Sequence, residues 1–460
     1  MRFESFFERL RRFASRVMKG AARRLNRAAE SPVLGTPSLP DWVRQEAIAL
    51  AAIEPELITA DGRADHYQYY HVPSIPLPGR IYEHVLSQIP EDTYTHVMLL
   101  PWLKQGGADR GALYHLRALK ESNPSARILA IATEPADSPW KDRLPQDIPY
   151  IEFGLAAKEM DFNLQVQVLT RLLVQLRPAV IHNINSRCGW EAIKCSGLAL
   201  CQHSTIFASL FCDDHNAQDT PVGYARDYLR SCYRSLERVF CDNSVYPGIW
   251  SKELGVPSDL FEVLPFPYDR EVVRHSRNSP TGPRRVLWAG RLDRQKRPDV
   301  LAAIAERMPE LLFDVHGGAV IGAADPAVKQ LAALPNVVTH GFFSRLEDVV
   351  SDDHIAYLHT TAWEGVPTIL FDVAAAGVPI CAPDVGGIPD FVDRRWLISD
   401  FEDIDAYVEQ LSLLASSDQE RDVRRSRQYD VLEGERSWEA FYQRITAMPM
   451  YLGQDAIGGS

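Results

Sequence analysis

The chain has 460 residues, 46% hydrophobic and 24% charged; this is close to the average for globular proteins, excludes disordered, collagen-like and coiled-coil classes, and leaves room for two or three domains. No apolar run approaches the roughly 18 residues of a membrane-spanning helix. The net charge of −12 lies on an acidic body, which argues against a nucleic-acid partner.

The first 30 residues reverse that balance. Nine Arg or Lys face Glu4, Glu8 and Glu30, a net +6 that leaves −18 on the remaining 430 residues. Phe3, Phe6, Phe7, Leu10, Phe13, Val17 and Met18 recur at helical spacing, with Arg9, Arg12, Arg16, Lys19, Arg23 and Arg27 largely off that stripe. The pattern predicts a basic amphipathic helix over 1–30 lying on an anionic membrane surface. The alternative is a helix that packs its stripe on the protein itself. Charges at 8–12 and at 16 interrupt any secretory core, so the expected location is cytoplasmic, peripheral on the inner face of the plasma membrane. Residues 31–93, rich in Pro and aromatics, form an N-terminal extension with no assignable pattern.

From 94 to 270, short apolar runs at 95–100, 127–132, 148–153, 179–184, 205–211 and 238–241 alternate with helical patterns at 110–121, 160–176, 189–201, 224–236 and 246–254. This alternation predicts a parallel sheet with crossover helices. A polar stretch, 271–283, then breaks it as a linker does. The alternation restarts over 284–430, with strands at 285–289, 311–315, 336–340, 354–359 and 378–382 and helices at 298–308, 326–333, 367–376 and 402–415. Residues 431–460 add a last helical pattern through Trp438, Phe441, Tyr442 and Ile445, expected to cross back between the domains. The class is α/β: two doubly wound domains facing across a cleft at the carboxyl ends of their strands, where such sheets bind ligands.

Seven cysteines include no CxxC pair, and six lie between 188 and 241 near His182, His203 and His215. These spacings do not fit a zinc site, so buried free thiols and no metal are expected. Asp403-Ile404-Asp405 reads as surface.

The strongest chemical signal runs from Trp363-Glu364-Gly365-Val366-Pro367-Thr368 into Asp372 and Ala374-Ala375-Ala376-Gly377. It places a carboxylate and a glycine just before a helix whose start has unpaired N–H groups suited to a diphosphate. A second cluster, Gly290-Arg291-Leu292 to Lys296 and Pro298, follows a strand. It sets two cations where a pyrophosphate would lie.

These segments, together with Asp384-Val385-Gly386-Gly387-Ile388-Pro389-Asp390, resemble the donor domain of glycosyltransferase family 4. Gly106-Gly107-Ala108-Asp109-Arg110 is similar to the family's first-domain glycine loop. The resemblance covers about 95–450 and is strongest from 285 to 400. It implies the GT-B fold, with two Rossmann-like domains, and a retaining, metal-independent enzyme without a cofactor. Such an enzyme moves a sugar from a nucleotide-sugar donor to a hydroxyl of a glycan or lipid-linked glycan acceptor. Joined to the basic N-terminus, it suggests lipopolysaccharide, capsule or other envelope polysaccharide assembly. The alternative is a GT-B scaffold that binds nucleotide-sugar or a partner without transfer.

By the same resemblance, Arg291 and Lys296 hold the diphosphate and Glu364 binds the sugar hydroxyls. The backbone N–H groups of Gly365, Val366 and Thr368 touch sugar or phosphate. Phe343 contacts the base, and Gly106 and Gly107 admit the donor. Two departures stand out. The family's second Glu is Asp372 here, which weakens ribose binding. Its first-domain His falls at Phe211, leaving Asp213 or His215 to supply the polar group near the anomeric carbon.

Overall fold

The computed structural model describes residues 41–53, 76–274, 280, 282–318, 327–343 and 345–453. The predicted membrane helix 1–30 lies outside them. The chain divides into two units, 1–75 and 76–460. In the first, the described element is helix α1 (Asp41–Ile53). The second begins with α2 (Pro76–Leu86). Both helices fall in the stretch without assignable pattern.

The first sheet alternates strand and helix: β1 (His96–Leu100), α3 (Gly107–Ser122), β2 (Ile128–Ala132), β3 (Tyr150–Ile151), α4 (Phe162–Leu176), β4 (Val180–Ile184), α5 (Arg187–Leu200) and β5 (Thr205–Ser209). A small antiparallel hairpin follows, β6 (Asp214–His215) with β7 (Pro221–Val222), then α6 (Tyr224–Cys232), β8 (Arg238–Cys241), α7 (Val245–Leu254) and β9 (Phe261–Val263). Among the described residues the sheet order is β3-β2-β1-β4-β5-β8-β9, all parallel. Every residue of β1, β2 and β4 is buried. Strands buried on both faces read as mostly apolar runs, with His96, His182 and Asn183 as the polar residues here.

The second sheet is built from β10 (Arg285–Ala289), α8 (Pro298–Arg307), β11 (Leu312–His316), α9 (Ala327–Ala333), β12 (Val337–Gly341), β13 (His354–Leu358), α10 (Ile369–Ala375) and β14 (Ile380–Cys381). Its described order is β12-β11-β10-β13-β14, again parallel. Strand order reverses between β1 and β4 in the first sheet and between β10 and β13 in the second. Loops leaving such a switch point diverge and open a crevice. The crevices are therefore bordered by the loops after β1 and β4 and by those after β10 and β13.

After β14 come α11 (Ile404–Ser416), α12 (Asp418–Glu433) and α13 (Trp438–Thr446), and the chain returns to the first sheet. Trp438 Nε1 donates to Glu121 Oε2 at 2.9 Å. The Tyr451 hydroxyl lies 2.8 Å from both His115 Nδ1 and His182 Nδ1, and its carbonyl lies 2.8 Å from His96 Nε2. Burial keeps these histidines neutral: it lowers His96 to about 4 and His115 to about 3, and it pushes His182 well below its ordinary value.

Several expectations need correction. The run 148–153 yields only the two-residue strand β3, and Phe153 opens a helical turn instead. β5 stops at Ser209, because 210–212 leaves the sheet toward the hairpin. α12 has no apolar stripe in its sequence. It buries Arg421, Arg424 and Gln428, and Gln428 accepts from Ile380 N at 3.1 Å and donates to Val378 O at 3.0 Å, satisfying the backbone around β14. Of the seven thiols, Cys188, Cys232, Cys241 and Cys381 are buried, but Cys195 and Cys201 are exposed. Asp403 caps α11 through Ala406 N at 3.0 Å. No helix among the described residues is long and apolar enough to cross a membrane.

Candidate functional site

The second-domain wall comes from two loops that lock onto each other. Asp293 Oδ1 accepts from Lys296 N at 3.2 Å and closes a 3-10 turn over Arg294–Lys296. Pro298 then starts α8 with its φ already helical. Arg291 lies 3.2 Å from Asp293 Oδ2 and donates to Gln295. Gln295 in turn donates to the Trp363 carbonyl at 2.8 Å, and its own carbonyl accepts from Ala362 N at 2.9 Å. The turn after β13 is thereby held against the Arg291 loop, and Glu364 forms an ion pair with Lys296.

Both members of that pair are nearly buried, with 13% and 16% of their side chains exposed. Burial alone would raise the Glu364 pKa, but Lys296 and the adjacent His359 outweigh it and hold the carboxyl down at about 2. His359 Nε2 stands 3.9 Å from Glu364, beyond hydrogen-bond length. Burial first, and Lys296 second, lower His359 to about 4. The site therefore presents a permanent carboxylate near neutral pH, paired with the Lys296 side chain. Gly386 supports the turn from behind. It adopts φ +53, and a Cβ there would overlap the Glu364 carbonyl oxygen, so glycine meets both demands.

The first-domain wall is less charged. Gly106 and Gly107 open α3, and the Gly107 Cα faces Thr368 so closely that a Cβ would lie 3.6 Å from its methyl. Asn185, after β4, takes a left-handed conformation with φ +55 and borders the same space. Asparagine tolerates that conformation better than most residues. Phe211, Cys212 and Asp242 complete the wall. The cleft between the walls has a volume of about 500 Å³ and is bordered on its far side by Arg291, Lys296, Glu364 and Thr368.

Residues 283–417 match the family model described as Glycosyl transferases group 1. No curated protein sequence matches the chain. Among solved structures, a glycosyltransferase from Rickettsia africae ESF-5 superposes with TM-score 0.59 at 11% identity, covering 80% of this chain and 100% of that one. The lipopolysaccharide outer core galactosyltransferase WaaB, apo form, gives 0.58 at 16% identity, covering 76% and 98%. Anabaena Alr3699/HepE in complex with UDP and glucose gives 0.55 at 16%, covering 77% and 98%. The fold is GT-B. The cleft between the two Rossmann-like domains is the GT-B cleft, and the Lys296–Glu364 pair lies on its second-domain side.

The structure brings Gly106, Gly107, Arg291, Lys296, Glu364, Gly365, Val366 and Thr368 into that cleft. It places the remaining residues named from sequence elsewhere. Asp213 is 3% exposed and fully engaged: Oδ2 accepts from Arg226 Nε at 3.0 Å and Nη2 at 2.6 Å, and Oδ1 accepts from Trp250 Nε1 at 2.8 Å. Both of its oxygens are committed to these partners within the first domain. His215 sits on the hairpin, 2.7 Å from Asp219 through Nδ1. Its ring stacks on Trp363 at 4.9 Å between centroids, 13° from parallel. Asp372 pairs with Arg110 of α3 at 3.1 Å and borders a neighbouring pocket. Phe343 packs edge-on against His316, and at that loop it is Phe342, 73% exposed, that offers a ring to solvent. The Val366 N–H, expected to face the donor, is already taken by Asp242 at 3.0 Å.

Sequence reading missed Asp242, Asn185 and His359 as site residues. His359 follows an apolar strand directly and precedes Glu364 by five positions, so its place could have been read locally. Asp242 and Asn185 carry no local signal, since only the sheet order brings their loops to the crevice.

Proposed function

We propose that the chain is a retaining glycosyltransferase that moves a sugar from a nucleotide-sugar to a hydroxyl of a lipid-linked or cell-envelope glycan. The observation that carries this reading is the buried Lys296–Glu364 pair beside Arg291, set in an interdomain cleft opposite a glycine loop. Negative charge builds on the diphosphate as it departs. Preorganised cations stabilise that charge in a water-poor site, usually the largest contribution to such catalysis. Lys296 and Arg291 serve there in the part a metal ion would otherwise play. Glu364, held ionised, accepts hydrogen bonds from the sugar hydroxyls. The acceptor oxygen bonds to the anomeric carbon on the face from which the phosphate oxygen leaves, and the hydroxyl proton passes to the departing diphosphate. No cofactor takes part.

In this reading the base stacks at the 341–343 loop, and a ribose diol reaching Asp372 displaces Arg110. The family match over 283–417 supports the donor side. The acceptor class and the placement on the inner face of the plasma membrane are supported by the basic amphipathic pattern of residues 1–30. The likeness of fold to a lipopolysaccharide galactosyltransferase is consistent with that acceptor class.

The test is nucleotide release from UDP-, GDP-, ADP- and dTDP-sugars, with and without a lipid extract, for the wild type and Glu364→Ala. Release from one donor, dependent on acceptor and lost in the variant, is the expected result. Binding of a donor without turnover would favour the scaffold reading, which the engagement of Asp372 by Arg110 otherwise supports. Loss of anionic-vesicle binding on deleting residues 1–30 is the matching expectation for the membrane.

A further inference from the structure

Residues 242–244 leave the carboxyl end of β8 and enter α7, and they make a concentrated set of contacts from the first domain to the second. Asp242, 4% exposed, accepts from Val366 N at 3.0 Å through Oδ2. Its Oδ1 accepts from Asn243 Nδ2 at 2.7 Å. Asn243 is itself fixed: its Oδ1 caps α7 by accepting from Val245 N and Tyr246 N at 3.1 and 3.0 Å, and its Nδ2 also reaches the Phe211 carbonyl at 2.7 Å. Ser244 Oγ donates to Asp390 Oδ1 at 2.7 Å.

The second domain is shaped to receive this segment. A Cβ at Gly365 would lie 3.1 and 3.2 Å from the two Asp242 oxygens, and one at Gly387 would crowd Asn243 and Val366. Gly387 N donates to the Gly365 carbonyl at 3.1 Å, so the two glycines form one surface. Asp242 thus reaches a backbone N–H two residues after Glu364. No Lys or Arg among the described residues lies within ion-pair distance of it. A buried carboxylate whose hydrogen-bond partners are an amide and a backbone N–H, with the buried Arg436 favouring its charge from beyond ion-pair distance, is still costly, and such a cost persists where the group has work to do. Burial, the largest influence, also pushes its pKa up to about 6.

We propose that Asp242 is a positioning residue: by holding the Val366 N–H when the domains meet, it fixes the Trp363–Val366 turn so that the Glu364 carboxylate faces the donor sugar. The proposal rests on the reading of the cleft as a glycosyltransferase site. Donor affinity comes mainly from Arg291 and Lys296 and does not require Asp242. Transfer requires Glu364 in register, and does.

The experiment compares wild type, Asp242→Ala, Asp242→Asn and Asp390→Ala for kcat, donor KM, melting temperature and amide exchange at Val366. Asp390→Ala removes a tie between the same two domains without touching the Glu364 turn. We expect Asp242→Ala to lower kcat by about 10- to 100-fold with donor KM within about threefold, because small misplacements of a catalytic group are expensive. Asp242→Asn should fall between, since its amide oxygen can accept from Val366 but its NH₂ then opposes Asn243 Nδ2. Val366 exchange should rise in Asp242→Ala and stay unchanged in Asp390→Ala.

The proposal is overturned if Asp242→Ala leaves kcat or Val366 exchange unchanged, or if Asp390→Ala costs as much. It is also overturned if kcat and melting temperature fall while donor KM rises with them, as a purely structural role requires. A wild type that turns over no donor defeats the transferase reading alone. Val366 exchange then still decides whether Asp242 positions the turn.

Discussion

The two walls of the cleft are made by different means. The second-domain wall is charged and local: Arg291 and Lys296 lie on one loop, Glu364 on another, and each loop follows its strand directly. The first-domain wall offers glycines, a left-handed asparagine and a single buried carboxylate, gathered from loops after β1, β4 and β8. Asp213, an acidic residue of the same domain, is consumed by Arg226 and Trp250. A wall that must carry permanent charge is built from ion pairs that fix their own ionisation. The wall opposite is built from backbone and from a carboxyl whose charge is marginal near pH 6.

The sharpest way to break this contrast is Lys296→Met. It removes a cation assigned to the leaving group and leaves Glu364 buried without its partner, so kcat/KM should fall by about 100- to 1000-fold. Single-turnover rates with saturating donor check it, and a loss confined to KM would contradict the assignment. The counterpart on the first-domain side is Asp213→Ala. It strands Trp250 Nε1 and leaves Arg226 only Glu253, and should cost about 2 to 3 kcal/mol of folding stability. Denaturant titration measures that cost, while the activity per folded molecule stays near wild type. A catalytic Asp213 would show the reverse.

A smaller, graded effect follows from pH. His96, His115, His182 and His359 are held below their ordinary values in the folded chain, chiefly by burial. As pH falls below about 6.5, the unfolded state takes up protons first, so these groups withdraw stability down to about pH 4 for His96 and His359 and to lower pH for His115 and His182. Asp242 has the opposite sign: its raised value favours the folded state as pH falls through 6. Asp109, pushed up to about 6 mainly by burial, acts in the same direction as Asp242. Four histidines against these two carboxyls give a melting temperature that declines from pH 7 to pH 5. Asp242→Asn should steepen that decline, because it removes part of the compensating proton uptake. A melting temperature that is flat over this range, or a slope that the substitution leaves unchanged, would contradict the assignment.

Much of the scaffold was legible because a parallel strand covered on both faces is mostly apolar. Val97–Leu100, Ile128–Ala132 and Ile355–Leu358 show it plainly. The second-domain motif was legible for a related reason, since residues that act together there lie within one loop or one helical turn of a strand end. α12 was not legible, because its burial rests on Arg421, Arg424 and Gln428 finding partners, and no periodicity records that. The hairpin was not legible either, and with it the stacking of His215 on Trp363, across 148 positions of sequence.

The sequence by itself determined the alternation of strands and helices, the charged wall and its chemistry, because these depend on periods of a few residues and on groups that are neighbours in the chain. Only the tertiary structure decided that Asp213 is committed to Arg226 and Trp250, that Asp372 is held by Arg110, and that Asp242 meets the turn bearing Glu364. Those outcomes depend on which loops the sheet order brings to one crevice, and on how much water is excluded when they arrive.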